Sequence, residues 1–181
     1  MRVKASKNEF RKESIASLKI FLKHKKYKKD KLVIEELYKF IKKSKAKRVM
    51  LYLPLKLEVD IYPLIKKLRE EKVELLVPFM EGKSFRLVKY RLPLESRKFG
   101  LKEPKYSKQH INKKIDIAIV PIVGMDATFR RVGFGKGMYD RFFEKEIKNI
   151  NKIVFVARKL CYSKNIITDH YDVKADMVIV P

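Results

Sequence analysis

The residues best suited to chemistry lie in one short stretch, RRVGFGKGMYDRFF, at positions 130–143. Three glycines at alternate positions surround a lysine, and an aspartate and an arginine follow before an apolar pair. Glycines gather where the backbone must follow an unusual path or come close to another group. Backbone N–H groups in such a turn, together with the start of a helix, form a cradle for an anion. The stretch therefore predicts a phosphate site, and the simpler alternative is a tight turn capped by the aspartate.

Charged side chains in this stretch fit a phosphate ligand that carries a metal ion. Lys136 supplies a positive point charge, and Arg131 supplies a planar guanidinium that can donate two hydrogen bonds to phosphate oxygens. Asp140 would repel a bare phosphate, so its position makes sense if Mg²⁺ lies between the carboxylate and the anion. The stretch is neither a Walker A loop nor a G-x-G-x-x-G fingerprint, because Gly137 follows the lysine and Met138 stands where the third glycine would be.

Hydrophobic periodicity places the glycine stretch in an α/β fold. Apolar residues at helical spacing predict three helices. The first covers residues 6–24 with Ser6 as its N-cap, the second runs from after Asp30 to near Lys43, and the third covers residues 60–71. Short apolar runs predict strands at 48–54, 73–78, 85–90, 115–121, 152–157 and 176–180. Several runs are apolar on both faces, as in helix-covered parallel sheets. We therefore expect a three-layer α/β/α sandwich with a mostly parallel central sheet, forming a single domain over residues 1–181.

The glycine stretch occupies the place in this fold where ligands bind. It follows the strand at 115–121 and opens the next helix, and ligands of such folds sit at the carboxyl ends of the strands. A polar connection of about 25 residues, 91–114, separates two of the strands. A connection that long predicts a functional or a mobile loop.

The charge of the chain restricts its partners. The formal net charge is +24, from 45 lysines and arginines against 21 acids, which is typical of nucleic-acid binders. Lysine greatly outnumbers arginine, however, and lysines occur in nearly every segment, whereas readers of phosphates and bases favour arginine. The charge indicates either a general preference for anions or a lysine-rich composition without a specific partner. A nucleic-acid partner is not expected, although the charge leaves it open.

Cysteine content and hydropathy set the expected compartment. Cys161 is the only cysteine, which rules out an internal disulfide and a cysteine-based zinc site and fits a reducing compartment. No apolar run reaches the about 18 residues of a membrane span. We therefore expect a soluble cytoplasmic protein without a membrane partner.

Five segments in order along nearly the whole chain resemble one enzyme family. The glycine stretch matches R-x-G-x-G-K/G-G-x-Y-D at Arg131, Gly133, Gly135, Lys136, Gly137, Tyr139 and Asp140. The other segments are KNEFR with Lys7 and Arg11, YLPLKLEVDIYPLI with Glu58, KFGLKEP with Gly100, Glu103 and Pro104, and HYDVKADMVIV with Asp172 and Asp176. Together they resemble the 5-formyltetrahydrofolate cyclo-ligase family, also called methenyltetrahydrofolate synthetases.

The resemblance implies an enzyme that uses Mg-ATP. Members of this family convert 5-formyltetrahydrofolate to 5,10-methenyltetrahydrofolate and release ADP and phosphate. The implied mechanism begins with attack of the formyl oxygen on the γ-phosphoryl group; nitrogen 10 then closes the ring and phosphate leaves. Such a transfer needs positioning and charge neutralisation more than a covalent nucleophile. The cationic surface would also suit a polyglutamylated substrate, and we expect the enzyme to be a monomer.

The resemblance also implies roles for individual residues. Residues implied to bind ATP are Lys7, Arg11, Arg131, Gly133, Gly135, Lys136, Gly137 and Tyr139. Arg131 and Lys136 would act catalytically, by neutralising the charge that builds up as the γ-phosphoryl group moves. Glu58 and Tyr139 would bind the folate. Asp140 and Asp172 would hold Mg²⁺ directly or through water.

Without the resemblance, simpler roles stay open for several of these residues. Lys7 and Arg11 lie one helical turn apart and would form a solvated basic face. Glu58 would be a charge on a loop and Asp172 a turn residue before the last strand. Tyr139 would be part of ordinary packing.

Four positions depart from the family pattern. Ile61 replaces a threonine, so a hydroxyl contact to the folate is lost, and Phe129 stands where a glycine is common, which leaves the loop's path open. Met138 replaces one of two paired tyrosines, and Cys161 lies near the usual position of a glutamine that would contact the nucleoside. None of these changes removes a charge that the chemistry requires.

Two alternatives to an active cyclo-ligase stay open. A basic RNA- or ribosome-associated protein on the same fold would bind polyanions with a steep salt dependence and would not turn over ATP. Acids at both Asp140 and Asp172 favour the enzyme, because a nucleic-acid binder gains nothing from two carboxylates at its phosphate site. A folate-binding protein without turnover is the other alternative.

Overall fold

The computed structural model of the protein describes residues 6–22, 26–97, 100–105, 111 and 113–181. The predicted end of the first helix, residues 23–24, lies outside this range, as do residues 98–99, 106–110 and 112 of the long connection.

Four α-helices and eleven strands make up the described structure. The helices are α1 (Lys7–Phe21), α2 (Lys26–Lys43), α3 (Tyr62–Glu70) and α4 (Met138–Glu146), the last followed by a 3₁₀ turn. The strands are β1 (Arg48–Met50), β2 (Glu74–Glu81), β3 (Ser84–Lys89), β4 (Leu94–Ser96), β5 (Lys102–Pro104), β6 (Ile117–Pro121), β7 (Gly124–Asp126), β8 (Arg131–Val132), β9 (Ile153–Val156), β10 (Tyr162–Ser163) and β11 (Met177–Ile179).

The central sheet confirms the predicted α/β class. Six strands lie in the order β11-β9-β6-β1-β2-β3. Every neighbouring pair is parallel except β2 and β3, which form an antiparallel hairpin at one edge. All six predicted strands are present, and the shorter strands of the other two sheets were not predicted.

Helices cover both faces of this sheet because its central strands alternate between two apolar clusters. Val49 of β1 packs with α2 and α3, whereas Met50 packs on the opposite face with Phe142 and Phe143 of α4. The same alternation occurs along β6 and β9. A strand buried on both faces must be apolar throughout, which is why these strands appear as continuous apolar runs in the sequence.

The predicted start of the second helix was wrong. Asp30 does not precede α2 but lies in its second turn, and its carboxylate is buried against the guanidinium of Arg158. An acid near the start of an apolar stripe usually indicates a cap, but here a tertiary ion pair accounts for it.

The first helix lies beside a small sheet formed by β10, β7 and β8. The predicted cap is present, with Ser6 and Glu9 each accepting a hydrogen bond from the other's backbone N–H. Phe10 packs so closely on Gly124 that a Cβ at the glycine would lie 2.8 Å from the ring. This contact fixes the start of α1, which carries Lys7 and Arg11.

The long connection contains regular structure. Strands β4 and β5 form an antiparallel hairpin within it. Glu103 is buried and joins the hairpin to β2, since its carboxylate accepts hydrogen bonds from the Met80 N–H at 3.0 Å and from Arg97 Nε at 2.6 Å. No helix in the described part of the chain is long and apolar enough to cross a membrane.

Candidate functional site

A cavity of about 800 Å³ opens at the carboxyl ends of β1 and β2. Its volume lies in the range that suits a small-molecule ligand, and its position is the one that α/β sheets use for ligands. All eleven residues to which the sequence assigned a role border it: Lys7, Arg11, Glu58, Arg131, Gly133, Gly135, Lys136, Gly137, Tyr139, Asp140 and Asp172. Segments more than 120 residues apart in sequence thus meet at one place.

The glycine turn adopts backbone conformations that only glycine takes without strain. Gly135 has φ of 94° and Gly137 has φ of 61°, both in the region that a Cβ disfavours. Gly137 is also the N-cap residue of α4, and no side chain caps this helix start. Gly137 and Met138 both border the cavity, so the first turn of α4, whose N–H groups lack partners within the helix, lies where an anion cradle would form.

Arg131 is buried beneath this turn and fixed on three sides. Its Nε donates to the Pro121 carbonyl at 3.2 Å, its Nη1 lies 3.6 Å from Asp140 Oδ2, and its guanidinium carbon lies 4.8 Å from the centre of the Tyr139 ring. A Cβ at Gly133 would lie 2.6 Å from that guanidinium carbon. Gly133 is therefore required because the arginine occupies the space of its missing side chain.

Arg141 ties the glycine turn to the hairpin of the central sheet, a role that the sequence did not suggest. Its Nε donates to the Lys83 carbonyl in the β2–β3 turn at 2.8 Å, and its guanidinium also donates to the Lys136 carbonyl. Arg141, which also borders the cavity, thus holds the backbone of the turn through a carbonyl oxygen.

The start of α1 contacts both the glycine turn and the segment that contains Asp172. Lys7 forms ion pairs with Asp172 and, at 3.2 Å, with Asp169. Burial lowers the pKa of the Lys7 ammonium, but its hydrogen bonds to these two carboxylates outweigh burial and leave the pKa above its ordinary value. Arg11 Nε donates to the Gly133 carbonyl at 2.8 Å. The basic pair of α1 therefore lies against the glycine turn and the acids.

Asp140 and Asp172 lie close together at the cavity wall. Asp140 Oδ1 accepts from the N–H of Val173, the residue after Asp172, at 3.4 Å. Nowhere in the described ranges do three or more His, Cys, Asp or Glu side chains gather as a protein-only metal site. Mg²⁺ commonly takes one or two protein carboxylates and completes its shell with water and substrate phosphates. The pair therefore fits a magnesium ion that arrives with a nucleotide.

Glu58 supplies a buried carboxylate at another part of the wall. It is 9% exposed, and its Oε2 accepts from the Leu55 N–H at 2.8 Å. Burial raises its pKa to about 7, although the Leu55 N–H and the guanidinium groups of Arg131 and Arg158 act in the opposite direction. A carboxylate that titrates near neutral pH and faces a cavity is a frequent feature of functional sites.

Two phenols stand near this carboxylate, that of the buried Tyr52 and that of the partly buried Tyr139. Burial and then the charge of Glu58 raise the pKa of Tyr139 above its ordinary value, and the same two causes raise the pKa of Tyr52. Both therefore remain protonated at neutral pH. Tyr52 donates to the Val59 carbonyl at 2.9 Å, and Tyr139 packs edge-on against Phe85 with ring centres 5.1 Å apart. The wall near Glu58 is consequently aromatic and largely apolar.

The departures from the family pattern have different structural outcomes. Phe129 has φ of 60°, so this chain takes the left-handed conformation that a glycine favours, with a phenylalanine in its place. Ile61 is fully buried in the core, Met138 borders the cavity, and Cys161 does not border it. The path of the loop that contains Phe129 is therefore defined even without the glycine.

Asp126 holds that loop in place, a role that was not predicted from the sequence. Its buried carboxylate accepts from the N–H and hydroxyl of Thr128, from the N–H and hydroxyl of Thr168 and from the Ile167 N–H. Burial alone would raise the pKa of Asp126, but these hydrogen bonds hold it well below its ordinary value.

A buried ion pair behind the Glu58 loop is another feature that the sequence did not suggest. Arg158 and Asp30 pair through two hydrogen bonds, Nε to Oδ1 at 2.6 Å and Nη2 to Oδ2 at 2.8 Å. An arginine directly after the strand predicted at 152–157 was the available signal, because charges at that edge of a sheet are often functional.

Comparisons with known proteins agree on one family. The sequence profile of the 5-formyltetrahydrofolate cyclo-ligase family matches residues 3–181. The chain is 27% identical to a 5-formyltetrahydrofolate cyclo-ligase of Haemophilus influenzae, over 82% of this chain and 83% of that protein. It resembles the solved structure of the Aquifex aeolicus 5,10-methenyltetrahydrofolate synthetase with a TM-score of 0.76 and 30% identity, over 96% and 89% of the two chains. A synthetase from Mycoplasma pneumoniae, 22% identical, shares the fold with a TM-score of 0.69, over 97% and 98% of the two chains.

Proposed function

Because the chain belongs to the 5-formyltetrahydrofolate cyclo-ligase family, we propose that it converts 5-formyltetrahydrofolate to 5,10-methenyltetrahydrofolate in a reaction that consumes Mg-ATP. The observation that carries the proposal is the meeting of all eleven residues with an expected role around one cavity, from segments spread along the chain. A cavity of about 800 Å³ is large enough for a nucleotide and a folate ring to meet.

The nucleotide phosphates fit the part of the cavity formed by the glycine turn and α1. The N–H groups at the start of α4 suit phosphate oxygens, and Lys7, Arg11 and Arg131 contribute positive charge around them. Because Arg131 is buried and held by three neighbours, it needs no reorganisation when charge develops on the transferred group.

Asp140 and Asp172 would hold Mg²⁺, which when bound would neutralise phosphate charge. In this structure the Lys7 ammonium pairs with Asp172. We therefore expect Lys7 to turn to the phosphates when Mg-ATP binds, so that Asp172 becomes available to the cation.

The folate ring fits the apolar wall near Glu58. The Glu58 carboxylate would accept hydrogen bonds from ring N–H groups, and Tyr139 would lie against the ring. The protein then has to bring the formyl oxygen close to the γ-phosphorus. Attack expels ADP, and nitrogen 10 adds to the activated carbon; phosphate then leaves with the oxygen, and nitrogen 10 loses its proton. Each step is favoured by positioning two bound substrates rather than by a covalent intermediate with the protein.

The test is an assay of the purified protein with 5-formyltetrahydrofolate and Mg-ATP, following the methenyl product by its near-ultraviolet absorbance. Product should appear only with ATP. Asp140→Asn should lower the rate by about a hundredfold, as loss of one charge-stabilising group does. Glu36→Gln is the matched control, because it also converts an acid to an amide but on the exposed face of α2; it should keep the wild-type rate. Absence of ATP-dependent product from the wild type would refute the proposal.

A folate-binding protein without turnover would behave differently in the same experiment. ATP at about a hundredfold over its Kd should add about 2.7 kcal/mol to the free energy of unfolding if the nucleotide site is intact. ATP stabilisation without product would indicate binding alone. Polyanion binding without either effect would favour the RNA-binding alternative. A preference for polyglutamylated substrate, a monomeric state and a cytoplasmic location stay predictions; a lower KM for the polyglutamylated than for the monoglutamylated folate would test the first.

A further inference from the structure

The ion pair between Asp30 and Arg158 lies behind the cavity rather than in it. The Arg158 side chain is 1% exposed and the Asp30 side chain 6%, and neither borders the cavity. The pair joins α2 to the carboxyl end of β9 through a bidentate hydrogen-bonded contact between the guanidinium and the carboxylate.

Both members of the pair also hold the backbone around Glu58. Arg158 Nη1 donates to the Lys56 carbonyl at 2.9 Å, and the Asp60 N–H donates to Asp30 Oδ2 at 3.2 Å. These anchors lie two residues before and two residues after Glu58. Between them, the Glu58 N–H donates to the Leu55 carbonyl at 3.0 Å, and the Leu55 N–H donates to the Glu58 carboxylate.

Stability alone is a weak reason for such a pair. Removing two charges from water is costly, and replacing a buried ion pair with apolar residues of similar size is often neutral or stabilising. The contacts to Lys56 and Asp60 indicate a positioning role instead. They hold the loop at residues 56–60, in which Glu58 is the only buried acid and borders the cavity.

We propose that Asp30 and Arg158 are positioning residues for Glu58, which hold the segment at residues 56–60 so that its carboxylate faces the bound folate. The proposal rests on the proposed function, in that Glu58 is taken to grip the folate ring. Electrostatics support the same coupling: the charge of Arg158 lowers the pKa of Glu58 against the effect of burial, together with that of Arg131. The two phenols Tyr52 and Tyr139 are the other titratable groups that interact with this carboxyl.

The test removes both charges together, in Asp30→Leu with Arg158→Met. Removal of one partner alone would leave a buried unpaired charge and could unfold the protein, whereas the double variant keeps volume and leaves no such charge. The KM for 5-formyltetrahydrofolate should rise about tenfold or more, as loss of charged hydrogen bonds predicts. The KM for ATP should stay within about twofold, because the ATP contacts lie on other elements. Arg158→Lys keeps the positive charge, so it should raise the KM for 5-formyltetrahydrofolate less than the double variant does.

A second readout needs no turnover. Carboxyl ¹³C NMR titration of the ligand-free protein, with the Glu58 signal assigned through Glu58→Gln, should show a higher pKa for Glu58 in the double variant than in the wild type. A pair without influence on the Glu58 carboxyl would not move that pKa. The matched control is Arg48→Met with Glu74→Leu, which removes an ion pair at the amino end of β1 and β2, where Arg48 also donates to the Lys114 carbonyl.

The outcomes separate the two proposals. A folded double variant with the wild-type folate KM and the wild-type Glu58 pKa would overturn the positioning role. Equal effects in the control pair would overturn it as well. If the wild type makes no product, the proposed function fails, and the NMR titration still decides whether the pair controls the Glu58 carboxyl.

Discussion

Glu58→Gln should stabilise the protein at neutral and alkaline pH while it weakens folate binding. Burial raises the pKa of Glu58 from 4.5 to about 7 in the folded state. The folded state therefore keeps a proton that the unfolded state releases between these two values. The stability that this proton contributes is fully present below about pH 4.5 and is lost as pH rises through about 7. The shift corresponds to about 3 kcal/mol.

The glutamine variant lacks this pH dependence, because its amide is neutral throughout and its oxygen can still accept the Leu55 N–H. Urea unfolding followed by circular dichroism, at several pH values from 4.5 to 8, gives the free energy of unfolding of both proteins. The two should agree near pH 4.5, and the variant should exceed the wild type by about 3 kcal/mol at pH 8. Other titrating groups affect both proteins equally and cancel in the difference.

The same variant should have a kcat/KM for 5-formyltetrahydrofolate about tenfold to a hundredfold lower, since a charged acceptor is replaced by a neutral one. A gain in stability with a loss of activity is expected for an acid kept buried for its function. Parallel stability curves for the two proteins over the whole pH range would refute the reasoning, because they would mean that Glu58 has the same pKa in the folded and unfolded states.

Three further substitutions test other parts of the structure. Gly133→Ala should lower the free energy of unfolding by about 1–3 kcal/mol, since the added Cβ would displace the buried guanidinium of Arg131, and should lower kcat about a hundredfold; full activity would show that the arginine need not lie there. Phe129→Gly should raise the free energy of unfolding by about 1 kcal/mol, because it relieves a left-handed backbone at a side chain that is 49% exposed; thermal unfolding that is unchanged or earlier would contradict this. Asp126→Asn should cost about 2–3 kcal/mol at pH 7, because an amide cannot accept all the hydrogen bonds that the carboxylate accepts. Since those bonds lower the pKa of Asp126, the difference from wild type should shrink as pH falls below about 4.

The sequence determined the class of the fold and the chemistry of the phosphate site. Strands such as β6 and β9 are buried on both faces, so they must be apolar at every position, and this pattern is visible without a structure. The glycines at 133, 135 and 137 are visible for a similar reason, since turns with positive φ or close contacts admit few other residues. Local backbone conformation and packing thus restrict the residue types at these positions, and the restriction can be seen in the sequence.

Only the tertiary structure could decide which charges meet. Asp30 is 128 residues from Arg158, and the spacing at Asp30 suggested a helix cap instead of a buried ion pair. The pKa of Glu58 likewise depends on how thoroughly the surrounding chain excludes water, and Arg141 reaches a carbonyl on a hairpin 58 residues earlier. Periodicity records the face of an element that is buried, whereas ion pairs, burial of a single acid and loop anchors depend on which distant segments the fold brings together.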